Sequence, residues 1–181
     1  GSWALAVGEK GTFDREIRVP FPPESLLSGV HQVFPDGTVL RYRRRFSLPE
    51  SFRTGRVLLH FGAVDQKARV YLNDTLLGTH TGGYEGFSFD ITARLREENT
   101  LLVETTDSLK DKSLPYGKQR RDRGGMWYTP VSGIWQTVWL ERVPEDYIRE
   151  VRFSTENQRV TLELIGPPGG KLRVKTPEGA L

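Results

Sequence analysis

Apolar residues of this chain recur at every second position, which is the period of a β-strand whose side chains alternate between two faces. Between residues 40 and 48 the apolar side chains share one face and arginines the other, with Arg44 alone on the apolar side. Residues 57–63 are apolar on both faces, as in a central sandwich strand. No window shows the period of about 3.6 that an amphipathic helix requires. The pattern predicts an all-β protein.

Turn-forming residues divide the chain into short strands. The segment Asn73-Asp74-Thr75 lies between two apolar runs and predicts a β-hairpin. Residues 99–106 and 134–143 predict two more strands, and in the second of them Trp135 and Trp139 share one face. The 19 glycines and 11 prolines fall mostly between such segments. Many short strands separated by turns predict a β-sandwich or jelly roll.

We place a domain boundary near Pro144. Residues 1–145 are enough for one complete sandwich. Beyond them we predict three short strands, at residues 148–153, 160–165 and 172–175, which are too few to enclose a core of their own. The only methionine is Met126, so we expect the chain to be a piece of a longer protein, with residues 146–181 beginning a second, truncated sandwich.

Composition argues against several functional classes. The chain has no cysteine, and its 3 histidines are scattered in sequence, so we expect neither a disulfide nor a zinc site. The formal net charge of +3 is too small to indicate nucleic acid by itself. No apolar run approaches the roughly 18 residues of a membrane span, and no signal peptide is visible. We therefore expect a cytoplasmic protein that uses no metal and no cofactor.

Several segments stand out in order along the chain. They are residues 17–21 with 24–25 and 28–29, 42–44 before Phe46, 59–65, 70–73, 78–84 and 127–141. Together they resemble the sugar-binding-like N-terminal domain of family 2 glycoside hydrolases, the β-galactosidase and β-glucuronidase group, and their order is more specific than any single motif among them. The resemblance implies a jelly-roll, galactose-binding-like β-sandwich over residues 1–145, followed by the first strands of an immunoglobulin-like domain over residues 146–181.

The same resemblance implies that the catalytic carboxylates lie elsewhere, on a later barrel domain. A retaining glycosidase holds its two carboxyl groups about 5–5.5 Å apart, and no such pair can be placed among the 23 acidic residues from sequence. We expect a non-catalytic domain of an enzyme acting on O-glycosidic bonds, which braces the barrel and lines one side of its sugar pocket. Its partners would be the barrel and immunoglobulin-like domains and the carbohydrate substrate, with homo-oligomers also expected.

The loop of residues 110–125 is the most unusual stretch, because it is long, basic and interrupted by Pro115 and two glycines. The resemblance makes Lys118 and Gln119 candidate substrate-binding residues, since both can donate hydrogen bonds to hydroxyl groups. Trp127 and Tyr128 could stack on a sugar ring. The alternatives are an exposed basic loop for the first pair and core or interdomain packing for the aromatic pair.

In the β-galactosidases of this family an acidic residue shortly before the Ser-Gly-Ile turn helps to hold the sugar and an ion. Here an ungapped count from Ser132 puts Trp127 at that position, and Asp122 is out of register, so galactose specificity does not carry over. Two other functions remain open at this point. The domain could be an autonomous carbohydrate-binding module, or the basic loop of residues 110–123 could contact nucleic acid.

Overall fold

The computed structural model describes residues 1–52, 54–157, 159–169, 175–176 and 179–180. Within these residues the protein consists of β-strands and short 3-10 turns, without an α-helix. The chain divides into two compact units, Gly1–Arg142 and Val143–Leu181, and this division falls close to the boundary predicted near residue 145.

Eleven strands begin in the first unit, and 3-10 turns form at Leu26–Ser28, Glu50–Phe52 and Thr92–Arg94. The strands are β1 Ser2–Val7, β2 Arg15–Arg18, β3 Val39–Phe46, β4 Arg56–Phe61, β5 Val64–Asp65, β6 Lys67–Leu72, β7 Thr75–Thr81, β8 Phe87–Asp90, β9 Asn99–Thr106, β10 Gly133–Ile134 and β11 Val138–Val143.

These strands form two layers with one core between them. One layer is a six-stranded sheet in the order β2-β1-β3-β9-β6-β7, and the other contains the three-stranded sheet β11-β4-β8. A two-strand pair, β10-β5, completes the first unit. Buried side chains from both layers, including Leu5, Tyr42 and Val103 from the first and Leu59 and Phe61 from the second, form a single cluster. The predicted all-β sandwich is confirmed.

The hairpin and Arg44 show how local sequence sets this architecture. Asn73 and Asp74 both have positive φ, 51° and 66°, which is the backbone of a type I′ turn and suits the twist of β6 and β7. Arg44 points to the core side of β3 but reaches the edge of the sandwich, where Nη1 donates a 2.7 Å hydrogen bond to the carbonyl of Ser2. The guanidinium group of Arg44, the residue that breaks the alternating pattern, is therefore hydrogen-bonded to a backbone carbonyl.

The prediction of one continuous strand over residues 134–143 was wrong. Only Gly133–Ile134 and Val138–Val143 are strands, and the segment between them crosses over Gly62. A Cβ at residue 62 would lie 2.9 Å from Cβ of Gln136, so the crossing needs a glycine there. Trp135 and Trp139 consequently do not share a strand face.

The second unit contains a hairpin of β12 Glu150–Glu156 and β13 Arg159–Ile165, paired from Glu150↔Ile165 to Glu156↔Arg159. Two short strands, β14 Lys175–Thr176 and β15 Gly179–Ala180, also pair. The strand predicted at residues 172–175 falls mostly outside the described residues, since only Lys175 of it is described. That this unit begins an immunoglobulin-like domain stays a prediction.

Candidate functional site

The loop after β9 is fastened to the sandwich by Arg121. Its Nη2 donates a 2.7 Å hydrogen bond to Oδ1 of Asp36, and its Nη1 donates to the carbonyl of Phe34. The same Asp36 oxygen accepts the backbone N–H of Leu109 at 3.0 Å. The hydrogen bond from Arg121 lowers the pKa of Asp36, so the carboxylate remains charged. This ion pair fixes where the rest of the loop returns to the sheet.

Gln119 joins the loop to two other segments. Its Oε1 accepts the backbone N–H of Val131 at 2.6 Å, and its Nε2 donates to the hydroxyl of Tyr84 at 3.3 Å. The backbone at Gln119 forms a parallel bridge with Tyr128, because Tyr128 N–H donates to the carbonyl of Lys118 and Arg120 N–H to that of Tyr128. The Gln119 amide is thus held by its neighbours in a defined orientation.

Tyr84 and Trp135 form an aromatic pair beside this amide. Their rings meet edge to face with centroids 6.1 Å apart, and Trp135 Nε1 donates a 2.8 Å hydrogen bond to the carbonyl of Gly83. The Tyr84 hydroxyl also lies against Gly117, where a Cβ would stand only 3.0 Å away. We call Tyr84, Gln119 and Trp135 the amide–aromatic cluster. It combines hydroxyl and amide groups with ring edges at one place.

Behind this cluster lies Asp65, which is only 3% exposed. Burial raises the pKa of its carboxyl to about 7; the negative charges of Asp107 and Glu24 also raise it, and the Gln119 side chain opposes the rise. Within the described residues Oδ1 has no hydrogen-bond partner. Gly83 packs directly on this carboxyl group, so the peptide that accepts the Trp135 hydrogen bond also covers Asp65.

Two further acids lie nearby, the buried Asp107 and the half-buried Glu24. Glu24 accepts hydrogen bonds from the Ser132 hydroxyl at 2.6 Å and from the Ser132 backbone N–H at 3.2 Å. Burial nevertheless raises the pKa of Glu24 and of Asp107. Burial, together with the charge of Glu24, raises the pKa of the Tyr42 hydroxyl well above its usual range. These groups form a largely buried polar cluster around Asp65.

The four residues predicted from sequence have different surroundings. Gln119 lies in the amide–aromatic cluster and is partly buried. Lys118 is exposed, as is Tyr128 at 68%. Trp127 is half-buried beneath Arg120, whose guanidinium carbon lies 4.6 Å from the ring centroid. The structure joins Gln119 to Tyr128 through backbone hydrogen bonds, and a substrate role for all four stays a prediction.

Sequence reasoning missed Asp65, Tyr84 and Glu24. None of the three was singled out from sequence as a candidate site residue. Gly82 has a φ of 125°, whereas Gly83 is a glycine because Asp65 leaves no room for a side chain. A carboxylate directly after an apolar strand, together with a Gly-Gly pair farther along the chain, was the available signal. It could not be interpreted without knowing that the two segments touch.

The carboxyl groups of Asp65, Asp107 and Glu24 are buried or hydrogen-bonded within the domain. A general acid or base must come within hydrogen-bond reach of substrate. Asp65 and Asp107 are 3% and 9% exposed, and both oxygens of Glu24 are occupied by Ser132. The accessible groups are instead an amide, a phenol and aromatic rings, which suit the hydroxyls and apolar faces of a sugar. In the described part of the chain, no three His, Asp or Glu side chains come together as metal ligands.

The fold and this cluster together define a β-sandwich of the kind that occurs in carbohydrate-active proteins. Residues 34–152 match the family model for the glycosyl hydrolase 2 galactose-binding domain-like domain. This match covers well over half of the chain, which therefore belongs to that family. Among the described residues, no helix is long and apolar enough to cross a membrane.

Curated relatives are longer enzymes of the same family. The chain is 33% identical over 117 residues to a β-galactosidase of Thermoanaerobacter pseudethanolicus, covering 64% of this chain and 15% of that protein. It is 27% identical over 115 residues to a putative β-glucuronidase of Formosa agariphila, covering 63% of this chain and 13% of that protein. The chain thus spans about a seventh of the length of these relatives.

Solved structures show the same fold. A β-glucuronidase from an uncultured Clostridium species superposes with a TM-score of 0.69 at 24% identity, over 92% of this chain and 32% of that one. A β-D-glucuronidase of Dictyoglomus thermophilum gives a TM-score of 0.71 at 19% identity, again over 92% and 32%. At these identities the likeness establishes architecture only.

Proposed function

We propose that this chain is the non-catalytic N-terminal part of a family 2 glycoside hydrolase that acts on O-glycosidic bonds. It braces a catalytic barrel and supplies one wall of the sugar pocket. The observation that carries the proposal is the amide–aromatic cluster, in which a half-buried Gln119 is held by Val131 and Tyr84 over the buried carboxyl of Asp65. The family membership supports the proposal, and so does the short span of the chain relative to its longer relatives, which leaves room for a separate catalytic domain.

The wall is pre-organised for contact with hydroxyl groups. Gln119 Oε1 accepts from Val131 and Nε2 donates to the Tyr84 hydroxyl, so the amide orients a tyrosine that is itself 50% exposed. Arg121 and Asp36 hold the loop that carries Gln119. Fixed donors lose little freedom when a ligand binds, which favours both affinity and orientation.

The bracing role depends on exposed apolar surface. Met126 and Tyr128, next to the cluster, are 58% and 68% exposed, and Leu26 and Leu27 are 73% and 60% exposed. Large side chains of this kind are usually covered in a complete protein. We propose that the barrel and the immunoglobulin-like domain cover them, with self-association as the outcome when they are missing.

The first experiment is an assay of the purified 181-residue chain against a panel of aryl glycosides, with the full-length protein as the positive control. We expect no turnover by the chain and turnover by the full-length protein. A rate from the chain that disappears in the Glu24→Gln or Asp65→Asn variant would contradict the non-catalytic role. The wild-type chain and both variants should be checked for folding by circular dichroism, so that a lost rate can be assigned to the carboxyl group.

A further inference from the structure

The outer face of the six-stranded sheet carries a row of arginines that the amide–aromatic cluster does not use. Arg41, Arg43 and Arg45 alternate along β3 and point away from the core. Residues two apart in a strand are about 6.6–6.8 Å apart, so the row is about 13 Å long. Like charges at this spacing repel one another unless an anion lies between or above them.

Among the residues that the structure describes, Arg41 is the member of this row that has an ion-pair partner. Arg41 lies 3.5 Å from Oε1 of Glu104, its cross-strand neighbour, and Nη1 donates to the carbonyls of Glu9 and Gly11. Arg43 lies over the Phe13 ring at 4.0 Å. In the described part of the chain, the guanidinium groups of Arg43 and Arg45 make no hydrogen bond or ion pair.

A groove of about 920 Å³ runs beside this row. Its far wall is the β6–β7 turn with the loop that precedes β9, and that loop brings a fourth cation, Arg96. On the other side of the row lies a second depression of about 510 Å³, which also touches Arg43 and Arg45. We call the larger depression the arginine groove. It shares no lining residue with the amide–aromatic cluster.

The wall that presents Arg96 is rigidly built. Asn99 is fully buried; its Oδ1 accepts the Arg96 backbone N–H and its Nδ2 donates to the Arg96 carbonyl, both at 2.9 Å. Asn73 Nδ2 donates to the same Asn99 oxygen at 3.0 Å. The Phe13 ring fixes Arg43 on the opposite side. The backbone that carries Arg96 and the guanidinium group of Arg43 are therefore held in place before any ligand arrives.

The groove also contains acceptors. Asp74 and Glu98 line one part of it, together with the Thr100 hydroxyl. Two acids would repel nucleic acid, because a protein that binds it typically neutralises several phosphates along one basic surface. A chain of sugar rings needs both kinds of group, because its hydroxyls donate to carboxylates while its own carboxylate or sulfate groups accept from guanidinium forks.

We propose that the arginine groove binds an anionic oligosaccharide, one that carries carboxylate or sulfate groups, as a secondary site separate from the sugar pocket. Guanidinium groups of Arg43 and Arg45 on one side and Arg96 on the other hold the acidic groups, and Asp74 and Glu98 accept hydroxyls. The carbohydrate identity rests on the proposed function, whereas the anion preference rests on the groove itself. Such a site would hold a polymeric substrate near the enzyme.

The test is calorimetric titration of the 181-residue chain with trigalacturonate, a heparin-derived hexasaccharide and maltotriose as an uncharged trimer. We expect binding of at least one anionic probe, weakening when salt rises from 50 to 500 mM, and no binding of maltotriose. The two anionic probes distinguish carboxylate from sulfate recognition. Equal binding of maltotriose, or tighter binding of a 12-nucleotide single-stranded DNA or of hexaglutamate, would overturn the proposal.

Variants locate the binding. Arg43→Gln/Arg45→Gln should lower the affinity for the anionic probe about 10-fold to 100-fold, and Arg96→Gln should lower it about 10-fold. The matched control is Arg149→Gln/Arg152→Gln, which removes two arginines of the second unit and should leave affinity within 2-fold. Because the Arg45 side chain makes no hydrogen bond or ion pair in the described part of the chain, Arg45→Gln alone should give a folded variant if the double variant unfolds. Unchanged affinity in the Arg43→Gln/Arg45→Gln and Arg96→Gln variants would show that the arginine groove is not the binding site.

A final arm separates this inference from the proposed function. In the full-length protein, Arg43→Gln/Arg45→Gln should leave hydrolysis of a small aryl glycoside unchanged while lowering the binding of the anionic probe. Loss of aryl glycoside hydrolysis in that variant would contradict a separate site. If the groove binds as expected but the full-length protein hydrolyses no glycoside, the proposed function fails and the groove stands.

Discussion

Gly83 lies so close to Asp65 that a Cβ atom at residue 83 would stand 2.5 Å from the carboxylate Oδ1. The same glycine offers its carbonyl to Trp135 Nε1 at 2.8 Å. Gly83 therefore packs on the buried carboxyl group of Asp65 and at the same time accepts the hydrogen bond of the Trp135 indole. This contact links the sandwich core to the amide–aromatic cluster.

Gly83→Ala should lower the free energy of unfolding by about 1–3 kcal/mol, because the methyl group forces Asp65 or the Gly82-Gly83 segment to move. The measurement is urea unfolding followed by tryptophan fluorescence. Gly124→Ala is the matched control, since nothing lies within 4 Å of a Cβ there, and we expect a change below about 0.5 kcal/mol. Equal effects of the two substitutions would argue against the close contact.

Asp65 should make stability fall as pH rises. Its folded pKa of about 7 lies above the ordinary value of about 3.9, so between these pH values the folded state holds a proton that the unfolded state has released. The free energy of unfolding then decreases across this window, and the loss is complete above about pH 7. Asp107 and Glu24, whose pKa values are also raised, act in the same direction.

Asp65→Asn removes this contribution because an amide does not titrate. Relative to wild type, the free energy of unfolding of the variant should rise by about 3 kcal/mol between pH 4.5 and pH 8. Urea titrations at the two pH values measure the gain, and Asp146→Asn, an exposed acid of the second unit, is the control with no expected change. A pH profile identical to wild type would contradict the raised pKa.

The ion pair between Arg121 and Asp36 should have the opposite pH dependence. The pKa of Asp36 is lowered, so the stability it provides is present above its unfolded pKa and is lost as pH falls through the folded value. Arg121→Gln should cost about 0.5–1 kcal/mol at pH 7 and almost nothing near pH 2. Hydrogen exchange of residues 109–128 should rise in the variant. An equal cost at both pH values would mean that packing, not charge, is responsible.

Asn99→Ala should be among the most damaging polar substitutions. Asn99 is 0% exposed and satisfies the Arg96 backbone and the Asn73 amide, so its loss leaves the buried Asn73 amide and the partly buried Arg96 backbone groups without these partners. We expect a loss of about 2–4 kcal/mol in free energy of unfolding, against less than about 0.5 kcal/mol for the exposed control Asn157→Gly, whose φ of 47° glycine tolerates. A loss below 1 kcal/mol for Asn99→Ala would contradict the bonding scheme.

Sequence predicted the local elements of this fold well. The Asn73-Asp74 turn and β9 at Asn99–Thr106 follow from turn chemistry and period-two alternation, which act over a few residues. The break before Val138 could not be foreseen, because it depends on Gly62, which lies about 75 residues earlier in the chain. The period-two pattern of apolar residues continues from Trp135 to Trp139 although the strand is interrupted there, so the pattern alone does not reveal the break.

The candidate site was predictable only where its signal was local. Gln119 stood out because its loop is long and resembles a family segment. Tyr84, Trp135 and Asp65 come together from three separate segments, and no spacing rule connects them. The arginine row was visible as alternation in β3, yet its groove requires Phe13 and Arg96 from distant turns.

The measurement that tests the central claim most directly is steady-state hydrolysis of an aryl glycoside by the full-length protein carrying Gln119→Ala. The account predicts that kcat/KM falls about 10-fold to 100-fold, with KM rising, while Arg152→Gln changes neither constant. A wild-type kcat/KM in the Gln119→Ala protein, with its fold verified by circular dichroism, would show that this domain supplies no wall of the sugar pocket.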